Sequence, residues 1–310
     1  MLPLALGLVA LTLILGYVAM CAVLYARVFV PPKPAQLDDF MFTPWEFQAD
    51  FEEIDLVSAD GVSFGAWYFR QPGSPQTVIV SGGHKGQRQN VLQVAVALWR
   101  KGFNVVAYSY RGMPGSDRAP VTMGIKEVQE LQAVIAFARR RIKDARIGLL
   151  GYSMGAVVSM LGAAGEPGVE ALVLDSPFSD LRRLLLETVR RVTLLPGQPF
   201  VAMASLWLHW RVGCRVSDCS PLSVLSALEP RPLFFIHGGA DLIVPVHHSR
   251  RLYDAYRGPR EIWIVQGAPH TGAYFADRGL YVERVAGFFA RQLGLSRAGQ
   301  LRLVEEEEVS

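Results

Sequence analysis

The sequence predicts an α/β fold, a mostly parallel central sheet with helices on both faces, behind one N-terminal apolar segment. Three observations carry this expectation. Short runs rich in Val, Ile, Leu and Phe recur along the chain, as in TVIVS, FNVVAYS, IGLLG, ALVLD, PLFFIHG and EIWIV. The first three are each followed by a stretch of helical period. Strands apolar on both faces belong to a sheet covered on both sides, which is what intervening helices provide.

From Met1 to Ala26 no side chain other than Tyr and Cys is ionisable. At about 1.5 Å per residue such a run crosses a hydrocarbon core of roughly 30 Å, so residues 1–30 read as a transmembrane anchor. A cleaved secretory signal is the alternative. Against it stand the missing charged n-region, the length of the apolar run and the lack of a small-x-small cleavage site. Arg27 and Lys33 follow the span, and the positive-inside rule then places the following domain on the cytoplasmic side. Pro31 to Pro34, PPKP, cannot extend a helix and open a stiff linker over 31–50.

The domain expected over 51–295 begins with two β-rich runs, Phe51 to Val57 and Val62 to Arg70, split by Asp60-Gly61. That dipeptide is a hairpin signal, so the sheet opens antiparallel. Strand and helix then alternate, with helices expected over Asn90 to Lys101, Gly124 to Arg141 and Met154 to Ala164. Leu181 to Trp210 breaks the rhythm, being rich in Leu, Val and aromatic residues and interrupted by Pro196 and Pro199. It reads as a helical cap, over about 181–214. Residues 296–310, ending EEEEVS, read as a solvated acidic tail.

With 310 residues, 51% hydrophobic and 19% charged, the chain suits one globular α/β domain rather than a disordered polymer. A net charge of +3 with scattered basic residues argues against a nucleic-acid surface. The Arg139 to Arg141 cluster reads as a solvated helix end. Three cysteines, Cys21, Cys214 and Cys219, match neither a disulfide scaffold nor a zinc pattern. A Cys214 to Cys219 bridge stays open, with free thiols expected in a reducing cytosol.

Directly after IGLLG comes Gly151-Tyr152-Ser153-Met154-Gly155, leading into a helix of small residues. A G-x-S-x-G in this strand-to-helix context presents its serine on a sharp turn as a nucleophile. Gly151 and Gly155 let neighbouring chain approach without a Cβ clash. The helix start then aims free N–H groups at developing negative charge.

These motifs, together with YSYRGMPGS, LDSPFSDL, IHGGADLIVP and GAPHTG, run in order between about Phe51 and Leu293. The chain thereby resembles the α/β-hydrolase family, in particular the serine-hydrolase branch that includes Bem46-like and ABHD-type membrane-associated enzymes. The resemblance implies the α/β-hydrolase fold and a serine hydrolase working through an acyl-enzyme on Ser153. His270, after the last strand, takes the position of the base. Asp241 takes that of the acid, in the order Ser, Asp, His, with a helix-capping role near Val246 as its structural alternative. Asp175, at the end of ALVLD, is the rival acid, held in reserve because the resemblance places it beside the nucleophile strand as support. Of the other histidines, His209 is expected to pack within the cap and His247 and His248 to lie on the surface.

For the oxyanion, the first backbone donor implied is Met154. The loop Ser81 to Arg88 resembles the family's HGxxGxR, with Gly82 where the histidine usually stands. His84 is then the second backbone donor and Gly83 the alternative. No metal or organic cofactor is called for. An anchor and an apolar cap favour an ester or thioester with a lipid-like acyl chain. A peptidase, a non-lipid carboxylesterase or a non-catalytic binding module remain as alternatives.

Overall fold

The computed structural model describes residues 2–32, 42–193 and 196–295. The acidic tail, Lys33 to Pro34 of the proline spacer and residues 194–195 of the cap lie outside them. Helix α1 (Leu2–Phe29) is about 42 Å long by its rise per residue, and it is long and apolar enough to cross a membrane. Leu6, Leu8, Leu13 and Ile14 are exposed, whereas Cys21 and Phe29 are buried against the rest of the protein.

The Asp60-Gly61 signal produces the expected hairpin, in which β1 (Glu52–Val57) pairs antiparallel with β2 (Ser63–Phe69). Gly61 turns the chain at φ +86°, where a side chain would be strained. Alternation follows as expected: β3 (Gln76–Ser81), α2 (Leu92–Arg100), β4 (Asn104–Tyr108), α3 (Val128–Arg141), β5 (Arg146–Tyr152), α4 (Met154–Ala164) and β6 (Val169–Asp175). The cap region forms α5 (Leu181–Thr193) and α6 (Gln198–Val212), with Pro199 in the first turn of α6, where its missing N–H costs nothing. Then come α7 (Leu225–Leu228), β7 (Leu233–Gly238), α8 (His247–Ala255), β8 (Arg260–Val265), α9 (Ala273–Ala276) and α10 (Arg278–Leu293).

The eight strands lie in the order β1-β2-β4-β3-β5-β6-β7-β8. β2 meets β4 antiparallel, and β4 through β8 are mutually parallel. Because successive side chains alternate faces, each central strand feeds two cores. Ile79, Leu149 and Leu172 pack under α3 and α4, while Val78, Val80, Leu150 and Val173 pack under α2 and α10. All carboxyl ends of the parallel strands then point to one edge, where the loops after β3, β5, β7 and β8 gather.

A buried ion network ties the antiparallel end to this body. Arg111 is almost fully buried; its Nε donates to Glu130 of α3 at 2.7 Å and its guanidinium fork grips Asp60 at 2.9 and 3.0 Å. The Arg111 bonds hold the Asp60 carboxyl down at about 2. A carboxyl depressed from 3.8 to about 2 adds stability above pH 3.8 that fades as pH falls through 2. Asp60→Asn is therefore expected to cost on the order of 1 kcal/mol at pH 7, because solvent around this exposed carboxyl screens part of the interaction, with the gap to the parent protein closing between about pH 4 and pH 2 in urea-unfolding curves.

Candidate active site

β5 ends in a turn whose backbone leaves Ser153 at φ +53°, ψ −115°, a conformation that costs a non-glycine residue about 1–3 kcal/mol. The surroundings hold it there. Ser153 N donates to the Asp175 carbonyl at 2.7 Å. A Cβ on Gly151 would lie 2.5 Å from Ala156 N, and one on Gly155 would overlap the Ser81 and Gly82 carbonyl oxygens. Met154 is the first residue of α4, so its amide is among the four N–H groups without a partner inside the helix.

Asp241 and His270 come from the loops after β7 and β8, which are laced together by Gly239 N to Val265 O at 2.8 Å and Ala240 N to Ala268 O at 2.9 Å. The structure brings the three expected residues into one hydrogen-bonded chain. His270 Nδ1 lies 2.6 Å from Asp241 Oδ2, and His270 Nε2 lies 2.9 Å from Ser153 Oγ. Asp241 Oδ1 accepts the amides of Ile243 and Val244, both at 2.8 Å, which closes a turn ahead of α8 rather than capping that helix. Its Oδ2 also faces His237 Nε2 at 3.2 Å. Burial alone would raise the Asp241 carboxyl, yet the bonds from His237 and His270 hold it well below the usual range. An ionised carboxylate only accepts, so the His270 proton sits on Nδ1 and leaves the Nε2 lone pair for the Ser153 hydroxyl.

Asp175 makes a different set of contacts. Fully buried, it accepts Ser176 Oγ at 2.8 Å and Tyr281 OH at 3.0 Å, and burial raises its carboxyl to about 6. Ser176 Oγ in turn accepts the amide of Thr271, beside His270, at 3.3 Å. Asp175 thus props the His270 loop from beneath.

Gly83 lies against the serine, since a Cβ there would sit 3.7 Å from Ser153 Cβ. The His84 ring points elsewhere: its Nε2 donates to Val28 O of α1 at 2.7 Å, and Lys85 Nζ donates to Arg27 O at 2.9 Å. Gly83 and His84 both border the cleft of about 650 Å³ that holds Ser153 and His270. Its apolar wall includes Phe178, Leu184, Ile243, Val244, Tyr274 and Phe275.

Two expectations about histidines are corrected. His209 is exposed on α6 rather than packed, because the helix turns that side chain away from α1. His248 is buried rather than on the surface: its Nδ1 accepts the Ser179 amide at 3.2 Å, so its Nε2 proton faces Glu187 of the cap at 3.2 Å. Burial lowers its pKa to about 4. His247 is exposed as expected and faces the same carboxylate at 3.1 Å. Among the described residues, this is the cluster whose ligand atoms lie within 4.8 Å of one another, and it ties α5 to α8 by hydrogen bonds. Cys214 and Cys219 are free thiols, with Cys219 Sγ donating to Met123 O at 3.3 Å.

Sequence reasoning missed His237, although its place four residues before Asp241 in IHGGAD was the available signal. It also missed the grip of His84 and Lys85 on α1, for which the sequence holds no signal.

Residues 74–213 match the family model described as serine aminopeptidase, S33. The uncharacterized protein YqkD of Bacillus subtilis is 30% identical over 246 residues, 77% of this chain and 80% of that protein. Among solved structures, an esterase from Pyrococcus furiosus superposes with a TM-score of 0.69 at 24% identity, covering 86% of this chain and 98% of that one. The α/β hydrolase GrgF from Penicillium sp. sh18 superposes with a TM-score of 0.64 at 20% identity, covering 79% and 100%.

The crowding at Gly155 has a measurable cost. Gly155→Ala is expected to lower stability by about 1–3 kcal/mol, as overpacking does. Gly165→Ala, where an added Cβ meets nothing within 4 Å, is expected to leave the thermal melting curve nearly unmoved.

Proposed function

The chain belongs to the α/β-hydrolase family, and from that footing we infer that it is a membrane-anchored serine esterase acting on acyl esters or thioesters. What carries this reading is the bonded sequence Asp241–His270–Ser153, at 2.6 and 2.9 Å, on the floor of an apolar-walled cleft. Ser153 Oγ attacks the carbonyl carbon while His270 Nε2 takes its proton. Asp241 stabilises the imidazolium formed. The carbonyl oxygen, now negative, is met by the Met154 amide and by that of His84, with Gly83 the alternative. Collapse of this intermediate breaks the bond to the leaving alcohol or thiol, which receives the proton from His270. Water, activated by the same imidazole, then releases the acid from Ser153.

Ester is favoured over aminopeptide by the lining of the cleft. An aminopeptidase needs a carboxylate to receive its substrate's ammonium group. Among the described residues no Asp or Glu borders this cleft, and Lys85 is there instead. Exposed Ile243 and Phe275 at the rim, together with α1, support an acyl chain as the part of the substrate the wall receives. Arg27 after the span supports a cytoplasmic domain.

A fluorophosphonate probe is expected to label the protein and to fail with Ser153→Ala. His270→Ala should reduce ester turnover by at least about a thousandfold, and Asp241→Asn by about 10⁴ in kcat. Labelling that survives in Ser153→Ala would exclude this assignment. Hydrolysis of aminoacyl arylamides is expected to be negligible beside that of acyl esters.

His84→Ala keeps the backbone N–H but cuts its tie to Val28. The expected outcome in steady-state kinetics is a fall in kcat of about ten- to a hundredfold with KM little changed, as for a displaced catalytic donor.

A further inference from the structure

We propose that α6 is a second membrane-contacting element, lying beside α1 within the cytoplasmic half of the bilayer and seating the cap in lipid. This rests on α1 being a membrane anchor, and it follows from how the two helices are joined. α6 runs alongside α1 in the same direction: Tyr17 OH donates to Pro196 O at 3.3 Å near one end, and Tyr25 packs edge-on against Trp207, with ring centroids 5.0 Å apart, near the other. Between these points Cys21 shares a buried cluster with Phe200, Val201 and Ala204.

The apolar run of α1 continues unbroken to Ala26, and its first ionised side chain is Arg27. A helix placed with Arg27 at the polar boundary puts Tyr17 to Ala26 in hydrocarbon. Whatever is packed on those residues goes in with them. The composition of α6 suits that location: from Gln198 to Trp210 it contains no Asp, Glu, Lys or Arg, and its first cation is Arg211. Arg211 lines the same groove as Tyr25 and Phe29, so both helices run out of apolar residues at one level.

The outward face of α6 is unsuited to water. Leu206 is 65% and Trp210 79% exposed, one helical turn apart, and Ala202 continues the stripe. Apart from His209 at its end, this stripe is apolar and uncovered, a surface suited to lipid rather than water. Tryptophan and tyrosine near the last turn match the aromatic belt of a bilayer interface. The cleft then opens near the bilayer surface, because Leu184 of α5 forms part of its wall.

The test uses the full chain reconstituted into vesicles of phosphatidylcholine and phosphatidylglycerol at about 3:1, an anionic surface. A carbene photolabel confined to the hydrocarbon is activated, and modified peptides are mapped by mass spectrometry. Label on both α1 and the 198–210 peptide is expected. Label on α1 without 198–210 overturns the inference while leaving the anchor intact, and frees this face for a protein partner. No label on α1 refutes the anchor itself, and the inference falls with it. In a second arm, Leu206→Glu with Trp210→Glu should lower turnover of a long-chain ester in vesicles by at least about fivefold. Turnover of a short soluble ester serves as the folding control and should stay unchanged. Equal vesicle turnover by parent and variant, with the control intact, would also refute the role of this face.

Discussion

The first turn of α4 approaches the end of β3 so closely that no side chain fits between them, and the rest of the site depends on that contact. Gly155 meets the backbone of Ser81 and Gly82 directly, with even the Ser81 carbonyl carbon only 2.8 Å from where a Cβ would stand. The approach fixes the strand-to-helix turn and keeps Ser153 at positive φ. It also brings Gly83 beside the serine and points the open amides of α4 at the same space. A strained residue persists only where its neighbours over-determine it. Here the Ser153 amide is bonded to the neighbouring strand and both flanking glycines are tightly enclosed.

Two carboxylates near this turn are driven in opposite directions by what surrounds them. Asp241 faces two backbone amides and two imidazoles, and its ionised form is held well below the ordinary range. Asp175, with hydroxyl donors and complete burial, is raised to about 6. Charge therefore resides where it can balance a protonated His270, and the other carboxylate serves to brace Ser176 and Thr271. Environment rather than residue type separates the two roles. The same logic governs the hairpin, where Asp60 is stabilised as an anion by a buried guanidinium.

Much of this was legible in the sequence because it is local. G-x-S-x-G after an apolar strand fixes a turn by sterics alone, and Asp60-Gly61 does the same for the hairpin. The order Ser153, Asp241, His270 became informative through motif resemblance, which also gave Asp175 its supporting place. Burial of particular histidines was not legible, because it depends on which face of α8 or α6 meets the cap. His248 has a partner in Glu187, some sixty residues earlier in the chain, and no periodicity announces such a pair. His209, set among Trp and Leu in the sequence, faces outward because its apolar neighbours are spread around the whole helix. Arg111 likewise joins Asp60 and Glu130 across 51 and 19 positions. Pairings of that length are set by topology.

The contact between the loop after β3 and α1 extends this dependence to the first helix. The last carbonyls of a helix have no partner within it and carry partial negative charge. Here Val28 O and Arg27 O are met by His84 Nε2 and Lys85 Nζ. Lys85 itself sits at φ +56°, a conformation that a lysine holds only under external restraint. The restraint comes from α1 on one side and the Gly83 to Gly86 turn on the other. A domain separated from α1 would lose both acceptors at once, and the loop that lies against Ser153 would lose its outer support. The helix is accordingly part of the scaffold of the cleft, and the geometry around Ser153 depends on residues more than a hundred positions before its motif.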